Sequence, residues 1–146
     1  MKQTELRIGN IVTVDNPKYH PQLKGVLLRV TGIQEKVISN KIEYCVQLEH
    51  INKKANTYYQ TYSQFMEYIK PVALTEHWLL DFGFKDEIGY YSKGAFLISL
   101  ADDASCFFKD GRVYFNSRVI IENQSKYIHQ LQNLYFALTG EDLILK

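Results

Sequence analysis

The sequence predicts an α+β protein in two parts, and three observations carry that prediction. Short apolar segments broken by glycine fill residues 1–70, which is the texture of strands and turns. A strict period-two alternation runs from Ile42 to Glu49, with Ile42, Tyr44, Val46 and Leu48 on one face and Glu43, Cys45, Gln47 and Glu49 on the other. The 3/4 spacing of a buried helix face is clearest near the C-terminus, at Ile128, Leu131, Tyr135 and Leu138. Charge divides along the same line. Residues 1–70 carry 10 basic and 6 acidic side chains, a net +4, and residues 71–146 carry 7 and 10, a net −3.

The first part, residues 1–72, reads as strands at 6–8 and 11–14, a loop at 15–24, a strand at 26–30 closed by Thr31-Gly32, and another at 33–38. Pro17 and Pro21 exclude a helix from the loop. Ser39-Asn40-Lys41 is a turn into the alternating strand 42–49. A polar stretch from His50 to Thr57 leads to a strand at 58–62, a helical turn at 63–65 and a last strand at 66–69. Short strands with a helical turn before the last fit an SH3-like small β-barrel, a fold that carries no function by itself.

The second part, residues 73–146, opens on a short helix at 76–81. Thr75 stands at its N-cap, Glu76 in its first turn, and Gly83 beyond its end. Leu74, Trp78, Leu79 and Phe82 are its anchors. An antiparallel sheet follows, with hairpin turns at Lys93-Gly94 and Asp110-Gly111. The second turn would pair Phe108 with Val113, Phe107 with Tyr114 and Cys106 with Phe115. Residues 118–122 add a strand. A long helix runs from Ser125 to Thr139, capped by Asn123 or Ser125 and stopped by Gly140. Leu143-Ile144-Leu145 packs down or pairs as an edge strand.

Several chemistries find no support. The overall charge of +1 excludes a polybasic arm and an acidic tail. No apolar run approaches the roughly 20 residues of a membrane span, and no apolar segment follows Met1-Lys2-Gln3-Thr4-Glu5 as in a secretory leader, so the expected location is the cytoplasm. There Cys45 and Cys106 are expected as free thiols, and Asn123-Gln124-Ser125 as helix capping rather than a glycosylation site. His20, His50, His77 and His129 stand in four separate segments, without the ligand spacing of a zinc site. Phosphate-binding glycine loops are missing. The pairs Asp86-Glu87 and Asp102-Asp103 read as solvated turns rather than acid–base partners. No cofactor, metal or catalytic residue is expected.

Two groups of residues are candidates for binding. Lys18, Tyr19, His20 and Lys24 share the long loop, and Lys53, Lys54 and Tyr58 follow in the later polar stretch. Lysines would meet phosphates and tyrosines stack on bases; the same surface suits a protein partner, and an ordinary solvated surface is the simpler reading. His129, Gln130, Gln132 and Asn133 lie largely away from the apolar face of the long helix. Uncharged amides there suit an interface or internal hydrogen bonds equally.

Three segments carry a family resemblance: Glu5 to Asn10 (ELRIGN), Pro71 to Phe84 (PVALTEHWLLDFGF) and Lys126 to Leu143 (KYIHQLQNLYFALTGEDL). Together they resemble a family of small uncharacterised proteins of bacteria and bacteriophages. That family has no assigned activity, so no residue roles carry over. The resemblance implies an intracellular accessory protein of phage or prophage origin. The expected function is therefore non-enzymatic binding of a macromolecule, with a protein partner or self-association ahead of nucleic acid, and an enzyme third.

Overall fold

The computed structural model describes residues 2–51, 61–88, 90–99, 113–115, 118–121 and 126–146. The chain divides into two compact units, Met1–Val72 and Ala73–Lys146. Both are antiparallel sheets, and the second also carries the helices, so the protein is α+β.

The first unit holds β1 (Ile11–Val14), β2 (Leu28–Ile38), β3 (Lys41–His50), β4 (Thr61–Phe65) and β5 (Ile69–Pro71), in the order β4-β3-β2-β1-β5. Among the described residues the sheet does not close into a barrel. Its core is Leu6, Val12, Val14, Leu23, Leu28, Val30, Val46, Leu48 and Ile69. The alternation of β3 does what period two requires: Val46 and Leu48 are buried on one face.

Thr31-Gly32 does not separate two strands, as the sequence suggests. β2 runs through it, and the register against β3 shifts between Val30 and Gly32. A bulge absorbs the extra residue, and Gly32 there leaves room for the end of the Gln47 side chain, whose Oε1 a Cβ would approach to 2.8 Å and displace. β2 and β3 are joined by a two-residue turn in which Ser39 and Asn40 both have positive φ, 50° and 61°. This is the turn geometry that matches strand twist. The later boundaries also move. β4 is Thr61–Phe65, with Phe65 opposite Cys45, so the helical turn falls at Met66–Tyr68 and β5 at Ile69–Pro71. Each lies about three residues beyond its sequence-based place, because the pairing with β3 keeps residues 63–65 extended.

The second unit is a meander of β6 (Lys85–Glu87), β7 (Tyr90–Lys93), β8 (Phe96–Ile98), β9 (Val113–Phe115) and β10 (Arg118–Ile121). The helices are α1 (Glu76–Asp81) and α2 (Ile128–Thr139). β9 pairs with β8 on one edge, Phe96 opposite Phe115 and Ile98 opposite Val113, and with β10 on the other. The partners expected across Asp110-Gly111, residues 106–108, lie outside the described residues. Leu79, Phe82, Phe84, Phe96, Ile98, Val113, Ile128, Leu131, Tyr135 and Leu143 are buried. Phe96 is central, with rings of Phe84, Phe115 and Tyr135 at centroid distances of 6.1, 6.3 and 5.4 Å.

Thr75 occupies the N-cap of α1 but makes no side-chain capping bond. Gly83, at φ 80°, ends the helix in the left-handed region and lets Phe84 N–H reach the Leu79 carbonyl. α2 begins later than the sequence suggests, at Ile128, and Asn123 and Ser125 lie outside the described residues. Gln130 serves the cap instead: its Oε1 accepts from the backbone N–H of Lys126 at 3.1 Å and of Tyr127 at 3.3 Å. Gln130→Ala is therefore expected to cost about 1 kcal/mol, read as a lower denaturation midpoint by fluorescence of Trp78, the only tryptophan. Leu143 packs down rather than forming an edge strand, and Lys146 N–H donates to the Asp81 carbonyl at 3.0 Å.

Candidate functional site

The loop from Asp15 to Gly25 is held by a buried amide. Asn16 Nδ2 donates to Gln64 Oε1 at 2.9 Å, and its Oδ1 accepts from Tyr19 N–H at 3.2 Å. The Asn16 carbonyl takes His20 N–H at 2.9 Å, and Leu23 plugs the core beneath. Lys18, Tyr19 and Lys24 are left exposed, with the Lys18 ammonium 4.9 Å from the Tyr19 ring centre. His20 turns inward. Its ring meets the Tyr62 ring edge-on at 6.4 Å, and His50 meets the same ring at 5.4 Å. His50 Nε2 is 3.1 Å from the Tyr62 hydroxyl. Lys18, Tyr19, His20 and Lys24 all lie on this loop, with Lys18 and Tyr19 in contact and His20 against Tyr62; Lys53, Lys54 and Tyr58 lie outside the described residues. Nearby, hydrogen bonding to Glu67 and the charge of that carboxylate push the Tyr68 hydroxyl above its ordinary pKa.

Asn16 anchors this loop at a cost if removed. Asn16→Ala would leave the Gln64 amide, whose Nε2 already lacks a hydrogen-bond partner, without its remaining one. A loss of about 1–3 kcal/mol is expected, with faster amide exchange at Tyr19 and His20 as the local readout.

The helix group is placed differently from its sequence reading. His129 and Gln132 belong to the buried face of α2, not away from it. The His129 ring stacks on Tyr127 at 5.9 Å, and Gln132 Nε2 donates to the Leu143 carbonyl at 3.3 Å. Gln130 is occupied by the cap, and Asn133 is half-buried. His129, Gln130 and Gln132 therefore make contacts inside the unit.

A lysine of the same unit has an unusual setting. Lys93 Nζ donates to the Phe82 carbonyl at 2.5 Å and lies 5.9 and 5.6 Å from the Phe84 and Tyr135 ring centres. Burial, then the charge of Lys146, lowers its pKa, against an opposing pull from Glu141. Its ammonium fastens β7 to the end of α1. Among the described residues no group of three His, Cys, Asp or Glu side chains is placed to hold a metal ion. No helix among them is long and apolar enough to cross a membrane.

A further surface was not singled out by the sequence. β2 and β3 extend beyond their neighbours. β1 pairs with β2 at Leu28 and Arg29, and β4 pairs with β3 between Cys45 and Glu49. The distal ends pair with each other: Glu35 opposite Tyr44, Lys36 opposite Glu43, Val37 opposite Ile42 and Ile38 opposite Lys41. On this ribbon Val37 is 74% exposed and Ile42 64%. Both continue the face that buries Val46, so the apolar side of the sheet runs out past the core into solvent. The charge of Glu35 and a hydrogen bond to it raise the pKa of Tyr44, which marks the two side chains as a cross-strand pair. Among the described residues no strand pairs with the outer edge of Lys41–Tyr44.

No protein-family model matches the chain, and neither a curated protein nor a solved structure matches it.

Proposed function

We propose that the protein is a non-enzymatic binding module whose β2–β3 ribbon docks an extended strand of a protein partner. The observation that carries this reading is the exposed Val37/Ile42 pair beside an open strand edge. Strand addition supplies main-chain hydrogen bonds along such an edge, and apolar side chains on alternate positions supply selectivity. Near-neutral overall charge suits a protein partner better than a polyanion. The order β4-β3-β2-β1-β5, with a helical turn between β4 and β5, supports reading the first unit as an SH3-like barrel. The resemblance noted above supports a cytoplasmic accessory protein of phage or prophage origin.

The test is capture by the tagged full chain, compared with Val37→Thr/Ile42→Thr, followed by reconstitution from purified components. These substitutions keep β-branched side chains and leave the core untouched. A partner held by the parent chain and lost by the variant, at unchanged melting temperature, is expected. Equal retention by both overturns the reading.

A second reading rests on the exposed Tyr19 with Lys18 above it and Lys24 on the same loop. It is nucleic-acid binding, and it requires affinity that falls steeply with salt and falls again in Lys18→Ala/Lys24→Ala.

A further inference from the structure

We infer that the strand docked on this ribbon is the same strand of a second copy: two chains join through the outer edges of β3, antiparallel, about a two-fold axis at Ile42. The inference rests on the strand-docking reading and adds the identity of the partner.

The backbone comes first. In a two-residue hairpin the pair closing the turn is the hydrogen-bonded one, here Ile38 and Lys41, and bonded and non-bonded pairs alternate from there. Lys36 and Glu43 are then bonded, whereas Val37 and Ile42 are not. The N–H and C=O of Ile42 consequently point away from β2, toward the open edge. Two copies related by a two-fold axis through this position exchange both bonds, Ile42 to Ile42, in the closed pair that antiparallel strands form.

The side chains agree with that register and not with its neighbours. A two-fold axis perpendicular to the sheet keeps each residue on its own face, so only same-parity residues stand opposite one another. Centred on Ile42, Lys41 of each copy faces Glu43 of the other, giving two opposite-charge pairs. Centred on Glu43, the register sets two carboxylates face to face, a repulsive arrangement. Centring on Lys36 at the β2 edge opposes two ammonium groups in the same way. On the other face the Ile42 register aligns Val37, Ile42, and their symmetry mates in one stripe across four strands. In that stripe Ile42, 64% exposed in the single chain, gains its symmetry mate as a lateral neighbour, and Val37, 74% exposed, stands one strand further in.

The experiment is sedimentation equilibrium on the full chain, with charge reversals at the two facing positions. The parent chain is expected at about twice 17.1 kDa. Lys41→Glu and Glu43→Lys alone each turn both attractive pairs repulsive, and each should weaken dimerisation about tenfold or more. Lys41→Glu/Glu43→Lys restores complementary pairs and should recover the dimer. An equimolar mixture of the two single variants should form the mixed dimer in preference to either homodimer. A parent chain that stays monomeric, or a dimer indifferent to these reversals, overturns the inference. If the threonine variant still loses a captured partner of different mass, the strand-docking reading survives that failure; if it loses nothing, both fall.

Discussion

Phe96→Ala is expected to destabilise the C-terminal unit by about 3–5 kcal/mol. The side chain is fully buried at the start of β8, and it is the ring that Phe84, Phe115 and Tyr135 all approach. Removing it discards apolar burial and also opens a cavity between elements from four parts of the unit: the segment after α1, β8, β9 and α2. Rigid aromatic walls collapse poorly into such a space, so the upper part of the range applies. Trp78 lies on α1, with its ring 6.1 Å from that of Phe82, so its fluorescence should follow the transition. Phe96→Leu, which keeps much of the volume, should cost markedly less. Equal costs for the two would show that Phe96 is not the packing centre.

Leu48→Ala is expected to cost about 2–5 kcal/mol, while Ile42→Ala on the same face of the same strand should lie near 0.5 kcal/mol or below. The two residues are six positions apart, and both have the parity that faces the core. Leu48 is fully buried and Ile42 is 64% exposed. The difference arises from neighbours, since β1 and β4 reach the Leu48 end of the hairpin and stop before Ile42. Thermal melts of the two variants at low protein concentration separate the cases. A large loss at Ile42 under those conditions would mean that the ribbon is packed and is not an open surface.

The same residues show why part of the architecture was legible in the sequence and part was not. Alternation placed Val46 and Leu48 inward, and β3 obeys it. Alternation also placed Ile42 inward, because the face of a side chain is a local property while its coverage depends on how far other strands extend. Thr31-Gly32 looked like a break because glycine ends strands and also permits bulges; only the pairing with Gln47 distinguishes the two. The apolar face of α2 was readable from its spacing at Ile128, Leu131 and Tyr135. The roles of Gln130 and Gln132 were not, since their partners are a backbone turn preceding the helix and the Leu143 carbonyl eleven residues beyond Gln132. The basic loop was visible as composition. Its anchor was not, because Asn16 and Gln64 meet across 48 residues. The open edge of β3 had no signature in residue type at all, and it emerges from the unequal lengths of β1, β3 and β4.

The most direct measurement is the amide exchange rate of Ile42, by NMR, in dilute and in concentrated solutions of the full chain. Its N–H points to the open edge, whereas those of Lys41 and Glu43 bond to β2. In dilute solution Ile42 should exchange rapidly between two protected neighbours, and its protection should rise with concentration as the second strand docks. An Ile42 amide that exchanges rapidly at every concentration would contradict pairing of two copies at this edge, and one protected in a chain that sediments as a monomer would show that the edge is already covered within the chain.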